Sequence, residues 1–240
     1  MGNSEDSSNK LNNQPVDYVT SAVKGALGAV PFAGSLLAEL AGTVIPNQRL
    51  DRISKFAESL ESKLANLEQE FVRTQLSNEN FSDLLEEGTR QAARSLSDER
   101  REYISNLIST SLTHNDIEFV ESKHLLRILG ELNDIEVIWL RFYLEPTISG
   151  DEAFRAKHEN VLTPIMASHA DPPSVVEKEA LQESYKEHLS RIGLLEPRYE
   201  RDSKTNMPNF DSFTGGLKIH YYQITPLGRL LLKNIGLVSR

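Results

Sequence analysis

The residues best placed to do chemistry lie near the C-terminus. Arg198, Arg201, Lys204 and Lys218 cluster around a polar gap, interleaved with Tyr199, Tyr221 and Tyr222. Cations that neutralise phosphates beside aromatic faces suit a grip on a nucleic-acid backbone. The same composition also describes an ordinary solvated hairpin. Residues 197–240 hold seven basic side chains against three acidic ones. The run just before reverses the balance, with Lys178, Lys186 and Arg191 against Glu177, Glu179, Glu183 and Glu187 in residues 177–192. A groove-reading helix carries Arg, Lys, Asn or Gln toward phosphates and base edges, where Glu183 and Glu187 would repel them. The nucleic-acid contact set that spacing proposes is therefore Lys186, Arg191, Arg198, Arg201, Lys204 and Lys218. The acidic helix favours a protein-binding or purely structural role instead.

No other stretch has the spacing of a reaction centre. There is no GxSxG, HExxH, P-loop or dinucleotide glycine pattern. KGALGAVPFAGS has glycines but no following Lys–Ser/Thr pair and no preceding strand pattern. His158 and His169 lack zinc-type spacing and read as surface histidines. The chain has no cysteine, which removes disulfides, thiolate metal sites and cysteine nucleophiles. The expectation is a protein that is not an enzyme and needs no cofactor, metal or small-molecule substrate.

The elements that must position these residues follow from periodicity. Leu181, Tyr185, Leu189 and Ile192 recur at helical spacing and predict a helix over 175–192, with Gln182, Glu183, Lys186, Glu187 and Ser190 outward. Gly193 ends it, and an apolar pair opens a strand. In the second strand Leu217, Ile219, Tyr221 and Gln223 alternate with Lys218, His220, Tyr222 and Ile224. Thr225 caps a last helix whose first turn takes Pro226. Helix, strand, loop, strand, helix is the order of a winged helix.

Upstream, Ser97 with Asp98 and Glu99 starts a helix with Tyr103, Ile104, Leu107, Ile108 and Leu112 inward. A second follows with Ile117, Val120, Leu125, Ile128 and Leu129, stopping at Gly130. A third, capped by Asp134 and ended by Pro146, is apolar nearly all round and should be deeply buried. Residues 147–174 read as an insertion with one short helix near 151–159.

The first part is a helical block. Residues 1–15 are polar and read as a disordered tail without the basic start of a signal peptide, and Asp6 breaks the myristoylation pattern at Gly2. Residues 16–46 are rich in Gly and Ala and uncharged between Lys24 and Glu39, with a bend at Pro31–Gly34. Val30, Pro31, Phe32, Leu36 and Leu37 are the candidate partner-facing or membrane-facing side chains of that hairpin. A spanning helix needs about 20 consecutive apolar residues, and this run is shorter and broken. Ile53, Ala57, Leu60, Leu64, Leu67 and Phe71 then place one stripe on a long helix from about Gln48 to Leu76, opposite Arg52, Lys55, Glu58, Glu61, Lys63 and Glu68. Asn78 or Asn80 caps the next helix, with Phe81, Leu84, Leu85, Ala92 and Leu96 inward.

The expected architecture is mainly α: a disordered tail (1–15), an N-terminal helical bundle with its hairpin (16–96), and a winged-helix-like domain (97–240) with a small antiparallel β-hairpin. A net charge of −9 argues against a general affinity for nucleic acid. The composition fits a cytoplasmic protein, with membrane association through residues 18–45 as a further reading.

Residues 100–240 resemble the Abi-alpha abortive-infection family of bacterial proteins. The stretches that carry the resemblance are ISNLISTSL, HLLRILGELNDIEVIWL, YKEHLSRIGLLE and YYQITPLGRLLL. It implies a role in phage defence through host-cell shutdown and carries no catalytic residues over. Three functions are therefore weighed. One is a non-enzymatic interaction protein that meets a protein partner or itself through the helical block. Another is a winged-helix DNA-binding regulator. The last is a membrane-perturbing effector using residues 18–45.

Overall fold

The computed structural model describes residues 49–238 except 114–117, 148, 149, 169 and 212–214. The expected tail, the 16–46 hairpin with Val30, Pro31, Phe32, Leu36 and Leu37, Ile117 and His169 lie outside the described residues. Among those described, the chain is mainly helical with one two-stranded antiparallel sheet near the C-terminus. Its elements are α1 (Leu50–Leu64), α2 (Gln69–Leu76), α3 (Glu79–Arg94), α4 (Asp98–Thr113), α5 (Phe119–Glu131) and α6 (Asp134–Phe142). These are followed by α7 (Glu152–Lys157), α8 (Glu159–Leu162), α9 (Pro173–Arg191), β1 (Leu195–Tyr199), β2 (Ile219–Ile224) and α10 (Pro226–Asn234). Two compact units divide at Arg127/Ile128, within α5, with residues 234–236 counted in the first.

In the first unit α1, α3 and α4 pack on one another and α2 packs on α3. Ile53, Phe56 and Leu60 of α1, Phe81, Leu84 and Leu85 of α3, and Ile104, Leu107 and Ile108 of α4 are all buried. Each such side chain stabilises the fold by about 1.5–3 kcal/mol relative to an exposed one. Because α4 packs on both α1 and α3, the first unit runs through residues 96 and 97, where the sequence reading divided the chain.

The single long helix expected over 48–76 is two helices. After Leu64 the chain turns at Ala65–Glu68, where the Leu67 amide donates back to Leu64 O (3.0 Å). The restart moves the inward face by one position, so Val72 is buried and Phe71 is 39% exposed. The charged stripe of α1 also pairs across helices rather than along its own. Lys63 Nζ lies 2.5 Å from Glu102 Oε1 and Lys55 Nζ 3.6 Å from Asp98 Oδ1, while Arg52 Nη1 donates to Ala93 O near the end of α3 (3.2 Å). Of the two candidate caps, Asn78 does the work: its Oδ1 accepts from the amides of Asn80 (3.0 Å) and Phe81 (3.4 Å). Ser97 caps α4 through the Arg100 amide (3.0 Å). Leu96, expected inward, falls past the end of α3 and is exposed, as is Val120 at the start of α5.

In the second unit α6 packs on α8 and α9, α9 packs on β1, and α7 packs on α8. The cap of α6 is Asn133, one residue before the expected Asp134. Asn133 Oδ1 accepts from the Glu136 amide (2.9 Å) and Glu136 Oε2 accepts from the Asn133 amide (2.8 Å), a reciprocal capping box. The helix is less uniformly buried than its composition implied. Val137, Trp139 and Leu140 are buried, but Ile135 lies at the surface, and the buried face also holds Glu136.

Gly193 closes α9 as expected, in the left-handed region at φ 79°, which a side chain rarely adopts. The Gly193 and Leu194 amides donate to Ser190 O (3.0 Å) and Leu189 O (2.9 Å), closing the helix end. Thr225 then joins three elements. Its hydroxyl donates to Gly193 O (2.7 Å), accepts from the Gly228 amide (3.0 Å), and its own amide donates to Leu194 O (3.0 Å). The expected cap of the last helix is thus also the tie that sets α10 against the start of β1.

Candidate functional site

The hairpin is built from alternation and then interrupted on both strands. Leu195 pairs with Ile224, Glu196 with Gln223, Pro197 with Tyr222 and Arg198 with Tyr221. The next pair is Tyr199 with Ile219, so His220 is an extra residue and forms a bulge. Pro197 has no amide hydrogen to offer along the outer edge of β1. A proline on one strand and a bulge on the other blunt both edges against strand addition.

Beyond the ladder three segments meet at one point. The Asn209 amide donates to Glu200 O, the Glu200 amide to Lys218 O and the Lys218 amide to Asn209 O, each at 2.9 Å. Asp202 organises the nearer loop: its Oδ1 accepts from the amides of Lys204 (2.9 Å) and Thr205 (2.8 Å). Those amides, Thr205 first, hold the Asp202 carboxyl below its ordinary range. Asn206 takes the left-handed conformation at φ 56°, which asparagine tolerates better than most residues. The hairpin tip is therefore internally hydrogen-bonded before it meets anything else.

This network consumes most of the candidate phosphate contacts. Lys218 Nζ lies 2.7 Å from Glu200 Oε2, and each raises or lowers the other's pKa accordingly: Lys218 up, Glu200 down, both chiefly through that hydrogen bond. Arg198 Nη2 lies 3.0 Å from Glu196 Oε2, and its Nε donates to Gln223 Oε1 (3.0 Å). Arg201 Nη1 donates to Asn206 O (3.0 Å). Lys186 does not face outward: its side chain is 15% exposed, 2.5 Å from Glu183 Oε1 and 5.1 Å from the centroid of Trp139. Arg191 is exposed at the end of α9, and Lys204 is exposed in the hairpin loop. Four of the six are thus engaged by partners within the chain, and Arg191 and Lys204 are exposed.

The inward face of α9 also differs from its apolar spacing. Leu181 is 55% exposed and its neighbour Gln182 is buried. Gln182 faces inward because the end of α8 and the chain after it carry backbone groups that need partners. Its Nε2 donates to Val161 O (3.3 Å) and Thr163 O (3.0 Å), and its Oε1 accepts from the Ile165 amide (3.1 Å). A buried carboxamide that satisfies three backbone groups is favoured over a leucine that would strand them.

Residues outside the expected set hold this unit together. His188 Nδ1 on α9 stands 2.6 Å from Glu136 Oε1 on α6. Trp139, Phe142 and Tyr143 form an aromatic cluster that reaches Tyr222 of β2, with the Tyr143 and Tyr222 rings 6.1 Å apart. Burial, then the negative charge of Glu183, pushes both phenols above the ordinary tyrosine range, and Glu187 adds to the effect at Tyr222. Arg141 Nη2 pairs with Asp151 Oδ2 at 2.7 Å, and that carboxylate also caps α7 through the Phe154 amide (3.0 Å). The histidine and its acid are 52 residues apart, a separation at which spacing carries no signal.

Among the described residues no three His, Asp or Glu side chains are grouped to hold a metal ion, and no helix is long and apolar enough to cross a membrane. Comparison of the chain with protein-family models, curated proteins and solved structures finds no match.

Proposed function

We propose that this chain is a non-enzymatic interaction protein whose hairpin module contacts other proteins rather than nucleic acid. The observation that carries the reading is the local engagement of the hairpin cations: Lys218 on Glu200, Arg198 on Glu196, and Arg201 hydrogen-bonded to a backbone carbonyl. A phosphate backbone would have to break these contacts to gain its counterions' release. The helix before the hairpin adds Glu183 and Glu187 to the same side of the balance, and its one inward lysine is already spent on Glu183 and Trp139.

The order of α9, β1, β2 and α10 supports a winged-helix module used as a protein-binding scaffold. The resemblance of residues 100–240 to the Abi-alpha family gives this reading its biological setting, phage defence by host-cell shutdown in a bacterial cell. Fluorescence anisotropy with labelled duplex DNA at low salt tests the reading. The expected result is no saturable binding. Tight, salt-sensitive binding that is lost in an Arg198→Ala, Arg201→Ala, Lys218→Ala triple variant would overturn it in favour of a DNA-binding regulator.

A further inference from the structure

His188 has one ring nitrogen fixed and the other free. Its Nδ1 stands 2.6 Å from Glu136 Oε1, and that carboxylate is only 5% exposed. Glu136 is held in turn, because its Oε2 accepts from the Asn133 amide (2.8 Å) in the capping box of α6. A carboxylate only accepts, so the imidazole proton sits on Nδ1 and the lone pair is left on Nε2. Nε2 has no hydrogen-bond partner among the described residues. The side chain is 22% exposed. Since its Nδ1 edge meets a buried carboxylate, the open part lies toward Nε2.

A lone pair held in this way can serve a metal ion, a neighbouring hydroxyl or an incoming electrophile. Among the described residues no three His, Asp or Glu side chains are grouped for a metal. The hydroxyl one turn back along α9, that of Ser184, donates to Leu181 O instead (2.7 Å).

The surroundings suit an electrophile that brings negative charge. On a helix the neighbours of His188 lie three and four residues away: Ser184, Tyr185, Arg191 and Ile192. None is acidic. Arg191 is exposed and has no ion-pair partner among the described residues. Glu187, next in the chain, points about 100° away around the helix axis. A phosphoryl group on Nε2 would therefore have a guanidinium and a hydroxyl as its helical neighbours.

We infer that His188 Nε2 is a phosphoryl-acceptor site, with Glu136 as its positioning residue and Arg191 as the cation for the phosphoryl oxygens. The donor class is a small activated phosphate, of which phosphoramidate is the simplest. The Nε2 lone pair forms the new N–P bond while the donor's own P–N bond breaks, and that electron pair leaves on ammonia. The proton on Nδ1 stays in place, so the positive charge gained by the ring faces Glu136. The site is independent of the partner proposed for the hairpin.

The full chain is incubated with phosphoramidate at neutral pH, and acid-labile phosphate is mapped over time by mass spectrometry. His124 and His220 are exposed and serve as internal references. If exposure alone set the rate, they would react first. His188 instead reacts about tenfold faster than either, and phosphorus NMR places the group on Nε2. Unfolding in urea removes the difference. Glu136→Gln slows His188 about tenfold and leaves His124 and His220 unchanged, while Arg191→Ala slows His188 by a smaller factor.

A His188 rate no greater than those of His124 and His220 in the folded chain overturns the proposal. So does a fast rate that survives in urea, or a label on Nδ1. A Glu136→Gln variant that is folded by circular dichroism and reacts like the parent also overturns it. Where that variant does not fold, the comparison of the folded parent with the parent in urea decides alone.

Discussion

Glu136 and His188 join α6 to α9 through a 2.6 Å contact in which the carboxylate is almost fully buried. The two oxygens of Glu136 are divided between tasks: Oε1 faces the histidine, and Oε2 closes the capping box on the Asn133 amide at 2.8 Å. Helix initiation and helix packing therefore depend on one side chain.

Glu136→Ala removes a cap contribution of about 1 kcal/mol and a charge-assisted hydrogen bond of about 1.5–3 kcal/mol. The expected destabilisation is about 2.5–4 kcal/mol, read from urea unfolding of the full chain. His188→Ala costs about 1.5–3 kcal/mol because it leaves the carboxylate without its histidine partner. The double variant costs less than the sum. Strictly additive losses would show that the two residues are not coupled.

Asn78 and Asn80 are alternatives by sequence and unequal by geometry. Only the Asn78 side chain accepts from the first amides of α3. Asn78→Ala should cost about 1 kcal/mol and Asn80→Ala only a few tenths. Paired thermal melts give the ranking, and a reversal would relocate the cap.

Gly228 has no room for a methyl group. A Cβ there would stand 2.5 Å from Leu194 O and 2.8 Å from Ile224 Cγ1. Gly228→Ala should destabilise the second unit by about 1–3 kcal/mol, since a backbone carbonyl cannot rotate away as a side chain can. Gly193→Ala should cost about 1–2 kcal/mol for a different reason, its left-handed backbone at φ 79°. Urea midpoints of the two variants check both values.

Tyr143 and Tyr222 keep their protons beyond the ordinary tyrosine range, through burial first and Glu183 second. In the unfolded chain both ionise near pH 10. Their folded values are raised, so the associated stability is intact below about pH 10 and lost as pH rises toward those values. Ultraviolet titration should show a late fraction of the phenolate signal that appears together with alkaline unfolding. Tyr143→Phe should shrink that fraction and move the unfolding midpoint to higher pH. A titration in which every tyrosine ionises near pH 10 in the folded chain would contradict the assignment.

What could be read in advance was local. Asn78, Ser97, Gly193 and the Thr225–Pro226 pair mark helix ends because each satisfies or terminates backbone hydrogen bonds within a few residues of itself. The helix–strand–strand–helix order was legible for the same reason, from alternation and its breaks. The hairpin cations were visible as residues, though not as partners of Glu196, Glu200 and a carbonyl across the turn.

Which neighbour turns inward was decided only by the tertiary structure. Phe71 and Val72 exchange places because a turn at 65–68 restarts the helix. Leu181 and Gln182 do so because the end of α8 and the segment after it bring carbonyls that need donors. Glu136 and His188 meet across 52 residues through packing alone. Composition gave the acidic charge, and periodicity gave the helices and the hairpin that precedes the last of them. The three-dimensional arrangement decided that Arg198, Arg201 and Lys218 are engaged within the hairpin, because ion pairs depend on distances that sequence order does not contain.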